Sequence, residues 1–76
     1  MDSIELERLL RFGLKVSYYR KIRSMSIDEL AEKTGLSVSM IQKVESPTLP
    51  KGVSLNALWR LSDALNVHVA MLLNDD

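Results

Sequence analysis

Residues 27–46 constrain the fold more tightly than any other stretch of the chain. Ser26 stands where a helix N-cap belongs, with Asp28 and Glu29 in a first turn whose dipole favours acids. Leu30, Ala31 and Thr34 continue at helical spacing until Gly35 stops the run. Gly35 is expected to adopt the left-handed conformation that turns a chain within about three to four residues. Ala31, four residues earlier, is small enough for the next helix to cross close above it. Leu36 seals the turn and Ser37 caps the following helix, whose inner face is Ile41 and Val44. Its outer face carries Val38, Ser39, Gln42 and Lys43, with Met40 nearer the edge.

The rest of the chain also reads as helix. Its only glycines are Gly13, Gly35 and Gly52, and its only prolines, Pro47 and Pro50, share a loop over 46–53. Phe12, Val16, Tyr19 and Arg23 place one face of a first helix toward a core. That helix begins near Asp2 or Ser3, where Asp2 and Glu5 resemble a capping box, and ends near Ser24. Ser54 caps a fourth helix bearing Leu55, Leu58, Leu61, Ala64 and Leu65, and a short last turn covers about Val69 to Leu73. No strand-like alternation exceeds residues 66–69. The reading is an all-α domain of five helices spanning 1–76, with residues 1–11 extending the first helix.

Composition removes whole classes of function. A chain of 76 residues with no cysteine and one histidine offers no thiolate metal site, too few ligands for zinc and no convincing nucleophile triad. It has no phosphate-cradling glycine loop, so neither an enzyme nor a cofactor is expected. No apolar run approaches the roughly 18 residues of a membrane span. The first residues are acidic where a secretory leader is basic, so a cytoplasmic protein is expected.

Taken together, Ala31/Gly35/Ile41, Met25-Ser26 ahead of Asp28-Glu29-Leu30-Ala31, and Val44-Glu45 resemble the lambda-like (Cro/C1, XRE) phage-repressor helix-turn-helix domains. Ser54-Leu55 and the ending Leu65-Asn66-Val67…Leu72-Leu73-Asn74 extend that resemblance over about 13–74. It implies a five-helix lambda-repressor-like bundle that lays its third helix in the major groove of double-stranded DNA. It also implies an ion pair between Arg20 and Glu45, joining the first helix to the end of the third. Two positions depart from the family's pattern. Ile27 stands where Gln usually touches phosphate or buttresses a base contact, and Val38 where Gln or Arg is common. Under the resemblance, Val38 and Met40 pack on thymine methyls, Ser39 and Gln42 read base edges, and Lys43 reaches guanine or phosphate. Ser37, Ser46, Lys51 and Lys33 position the helix on phosphates, Lys51 with the free backbone N–H groups of the proline loop.

Two further features read as interface. The family's last helix usually carries acids where this chain has Ala70 and Met71. With Val69, Leu72 and Leu73 the helix is apolar nearly all round, and in so short a chain it is expected to bury against a second copy. A two-fold dimer sets two recognition helices roughly 34 Å apart and implies a palindromic operator. A second stripe on the first helix, Leu6, Leu10, Leu14, Tyr18 and Ile22, is expected to pack on the chain's own last helix in preference to a dimer contact. His68 reads as a capping or surface residue and Trp59 as packing.

The expectation is a sequence-specific DNA-binding transcriptional regulator, most simply a repressor, acting as a homodimer. Small domains of this kind resemble phage repressors, restriction–modification controllers and antitoxins, and that resemblance implies a toxin or antirepressor as the kind of protein partner to expect. The competing reading is a protein-interaction module that kept the fold and lost DNA contact, with Ile27, Val38 and Met40 as an apolar patch. The formal net charge of zero is a cancellation. Residues 1–7 and 61–76 carry −3 each, whereas 8–60 hold all ten basic residues against Asp28, Glu29, Glu32 and Glu45, a balance of +6. Phosphate attraction is therefore expected to be modest, with both acidic ends pointing away from DNA.

Overall fold

The computed structural model describes residues 2–74. Five helices follow in order: α1 (Ser3–Ile22), α2 (Ile27–Thr34), α3 (Val38–Val44), α4 (Leu55–Leu65) and α5 (Val69–Leu73). There is no strand among the described residues, and residues 66–68 form the turn into α5.

Local side-chain chemistry sets the helix starts. Glu5 N–H donates to Asp2 Oδ1 (2.8 Å), Met40 N–H to Ser37 Oγ (3.0 Å) and Ala57 N–H to Ser54 Oγ (3.1 Å). At α2 the box is reciprocal: Glu29 N–H donates to Ser26 Oγ and Ser26 N–H to Glu29 Oε1, both at 3.0 Å. Each such cap contributes about 1 kcal/mol.

The stops use left-handed residues. Gly35 sits at φ 74° and donates its N–H to Ala31 O (2.9 Å). At the ends of α1 and α4 the left-handed position falls on residues other than glycine, Ser24 (φ 57°) and Asn66 (φ 56°). Both ends carry the same double closure: Ser24 N–H to Lys21 O with Met25 N–H to Arg20 O, and Asn66 N–H to Asp63 O with Val67 N–H to Ser62 O. Arg23 then joins these two ends, its Nε donating to Leu65 O (2.9 Å) and its Nη2 to Asn66 O (3.3 Å).

The core is small and drawn from all five helices: Val16, Leu30, Ile41, Val44, Leu61, Leu65 and Leu72 are fully buried, with Phe12, Met25, Ala31 and Leu58 around them. Leu72 corrects one expectation. The sequence reading places it in a dimer contact, because an apolar last helix in so short a chain shows nothing else to bury against. In fact α5 docks on α1 and α4, which leaves Leu72 only 1% exposed in the chain's own core. Val69 packs partly on that core as well. The α1 stripe is a second correction. Leu14, Tyr18 and Ile22 are 68%, 59% and 50% exposed, because α5 lies against the opposite, Phe12-bearing side.

Gly13 positions α3. A Cβ at residue 13 would run into the Val44 carbonyl oxygen, so α1 and the last turn of α3 touch backbone to backbone there. No helix among the described residues is long and apolar enough to cross a membrane.

Candidate nucleic-acid interface

α3 is seven residues long, too short to hold its own orientation. Three contacts fix it. Ile41 and Val44 anchor its inner face, Gly13 admits its last turn, and its C-cap residue Glu45 is gripped by Arg20. Arg20 Nε and Nη2 donate to Glu45 Oε2 (2.8 Å) and Oε1 (2.9 Å), while Nη1 donates to Met25 O (2.8 Å). One planar guanidinium thus ties α1 to the end of α3 and to the α1–α2 turn, in the two-pronged geometry that suits a carboxylate. The side chains are only 11% and 9% exposed. The hydrogen bonding that Arg20 donates to the Glu45 carboxylate raises the Arg20 pKa against the opposing effect of burial, so the charge is permanent.

The outward side of α3 is then free. Ser39, Gln42 and Lys43 are exposed and Met40 is half-exposed. Ser37 is also exposed, but its Oγ already accepts the Met40 N–H, which leaves its hydroxyl hydrogen and one lone pair for other contacts. The connector after α3 folds back over the helix end, because Lys51 N–H (3.1 Å) and Ser46 N–H (3.3 Å) both donate to Lys43 O. An open groove results, lined by Ser39, Gln42, Lys43, Ser46, Lys51 and the 48–50 segment.

Three expected residues stand differently. Ile27 and Val38 pack partly on the core, so each offers only a half-buried apolar edge. Lys33 is exposed at the end of α2 but lines a separate concavity with Arg60, Asp63 and Ala64, away from the groove. The proline loop departs from expectation in part, since its N–H groups between Ser46 and Lys51 are taken up within the loop or by the end of α3. Thr48 N–H (3.3 Å) and Leu49 N–H (3.1 Å) donate to Ser46 Oγ, Ser46 and Lys51 N–H go to Lys43 O, and Pro47 and Pro50 have none. Ser46 therefore organises the loop from within, and Lys51 brings its ammonium group. Thr48 and Leu49, the latter 82% exposed, line the groove without having been singled out in the sequence. No periodicity or cap signal marks a loop-tip leucine.

Elsewhere, Ala70, Met71 and Leu73 leave an exposed apolar face on α5. His68 occupies the N-cap of α5 without a side-chain capping bond. Trp59 is 51% exposed on α4, beyond simple packing, and its carbonyl accepts from Ser62 Oγ. Asp75 and Asp76 of the acidic end lie outside the described residues. There is no cluster of potential metal ligands among the described residues.

Comparison with known proteins matches residues 16–72 to the helix-turn-helix family model. The transcriptional regulator SinR of Bacillus licheniformis is 36% identical over 63 residues, 83% of this chain and 56% of that protein. SinR of Bacillus subtilis (strain 168) is 35% identical over the same length. The chain thus spans about half the length (56%) of the curated relatives it matches. Among solved structures, the restriction–modification controller protein C.AhdI of Aeromonas hydrophila superposes with a TM-score of 0.77 at 30% identity, covering 84% of this chain and 94% of that one. A SinR–SinI complex gives the same TM-score at 34% identity, with 84% and 61% covered. The tight α2–α3 turn at Gly35 and the match over 16–72 lead to one conclusion: this chain belongs to the helix-turn-helix family, in its Cro/C1-type branch.

Proposed function

We propose that the chain is a sequence-specific double-stranded DNA-binding transcriptional regulator, acting in the cytoplasm and repressing by occupying a promoter. The observation that carries the reading is the exposed polar side of α3, Ser39, Gln42 and Lys43, set beside Ser46 and Lys51 in one groove. Ser39 and Gln42 supply donors and acceptors for base edges in a major groove, Met40 and the edge of Val38 supply apolar contact for thymine methyls, and Lys43 reaches guanine or phosphate. Lys51 and the Ser37 and Ser46 hydroxyls set the register on the backbone. The relatives, a transcriptional regulator and a restriction–modification controller protein, support the same class.

Specific reading by so small a surface calls for two copies. Ala70, Met71 and Leu73, with the edge of Val69, supply an exposed apolar face for a two-fold homodimer. Such a dimer places two α3 helices about one DNA turn apart, roughly 34 Å, on a palindromic operator. The competing reading, a partner-binding module, draws on the half-exposed apolar side chains of Ile27, Val38 and Met40. That one of the similar structures is a SinR–SinI complex also supports a protein partner.

Selection of bound duplexes from a random pool, followed by affinity measured against salt, separates the two. Lys43 and Lys51 give four cationic contacts per dimer, so log K should fall with log salt at a slope of about −3 to −4. A palindrome with that slope supports the DNA reading. Salt-indifferent retention without an enriched sequence overturns it.

A further inference from the structure

We infer that the outer side of α1 is a second self-association surface, on which two copies pair antiparallel about a two-fold axis beside Leu14. α1 turns Phe12, Val16 and Arg20 inward. α3, α4 and α5 all pack on that inner side. The row Leu6, Leu10, Leu14, Tyr18 and Ile22 runs along the other side at a spacing of four, forming a ridge of the kind that packs between the ridges of a second helix. Leu6 and Leu10 are half-buried at its edge, while Leu14, Tyr18 and Ile22 are each at least half exposed. That is a continuous apolar surface on a chain whose core is already closed without it.

Charge complementarity about the middle of the row identifies its occupant. Leu10 and Tyr18 lie four residues either side of Leu14, and Leu6 and Ile22 lie eight either side. In an antiparallel pair, Leu14 meets its own copy, Leu10 meets the partner's Tyr18, and Leu6 meets the partner's Ile22. Glu7 and Lys21, each seven residues from Leu14 and both exposed, then face each other twice across the axis. A parallel pair would instead set Glu7 against Glu7 and Lys21 against Lys21. Equal spacing makes any such row symmetric about its middle residue, so it is the acid and base at matching distances that favour a second copy: only an antiparallel pairing of identical helices brings Glu7 and Lys21 together twice. The contact uses no residue of α3 or of the exposed α5 face. With an α5 dimer it builds a closed tetramer or a chain of dimers, and it does not depend on the DNA-binding reading.

Sedimentation without DNA tests the assignment on a Met71→Glu/Leu73→Glu background, which disables the α5 face. Circular dichroism melts verify the fold of each variant. A dimer that persists there, becomes monomeric with Leu14→Glu, weakens about tenfold with Lys21→Glu and recovers in Glu7→Lys/Lys21→Glu supports the pairing. A folded monomer on that background, a dimer indifferent to Leu14→Glu, or a charge swap that fails to restore association overturns it. So does a monomer whose α1 stripe takes up an acidic amphipathic peptide instead.

Discussion

Replacing Arg20 by Ala removes three hydrogen bonds at once, those to both oxygens of Glu45 and to Met25 O. The consequence follows from what is left behind. An exposed ion pair contributes about 0–1 kcal/mol. Here the two side chains are only 11% and 9% exposed, so the variant strands a carboxylate and a carbonyl with little access to water. Breaking a buried pair from one side costs about 3–5 kcal/mol, and the residual exposure brings the expectation here to about 2–4 kcal/mol. A domain of 76 residues has about 4–11 kcal/mol of stability in all. The melting temperature should therefore fall by about 10–25 °C. Urea unfolding followed by circular dichroism measures the loss, and a double-mutant cycle with Glu45→Ala isolates the pair's coupling. Arg20→Met/Glu45→Leu, which removes both charges and keeps the volume, should recover most of the stability. A loss under 1 kcal/mol in Arg20→Ala, or a double replacement no better than the single, would refute the argument that stranded charge dominates.

Four further outcomes follow from the geometry. Gly13→Ala, although it favours helix, should destabilise by about 1–2 kcal/mol by pushing the Val44 carbonyl away, and a melt at or above the parent's would exclude the close approach. Ser24→Gly should stabilise by about 1 kcal/mol, since Ser24 holds φ 57° without a glycine's freedom; an unchanged unfolding midpoint would contradict this. The Ser26 N–H and hydroxyl hold the Glu29 carboxyl below its ordinary 4.5, so its stabilisation is fully present above that pH and fades as pH falls through the lowered value. Melting temperatures of the parent and Glu29→Gln should accordingly converge in acid, and parallel pH profiles would count against it. Lys43→Ala should flatten the salt dependence of duplex binding by about two units of slope for a dimer, and a slope unaltered by the change would remove Lys43 from the phosphates.

Much of this architecture is legible in the sequence because its determinants are local. Ser26, Ser37 and Ser54 cap their helices through amides three residues away, and Gly35 ends α2 through its own φ. What escapes the sequence depends on where elements dock. Leu72 looks like an interface residue until α5 is seen to close the core beneath it. The α1 stripe looks coverable by the last helix because the sequence shows two apolar rows on one helix without showing which row faces inward. The loop amides look available for phosphate because nothing in Ser46-Pro47-Thr48-Leu49 reveals that one hydroxyl takes up two of them. Lys33 and Lys43 are alike as sequence, yet the α2–α3 crossing sends them to different concavities.

The last turn of α1 has a mechanical consequence. Arg20 holds the end of α3, and three residues later Arg23 holds the end of α4. Both anchors act through space, so covalent continuity across residues 46–53 is not what orients α3 relative to α4. A chain nicked in that connector, or circularly permuted there, should keep α3 docked at its present angle. Shortening the far end of α1 by one turn, with the connector intact, should set it loose.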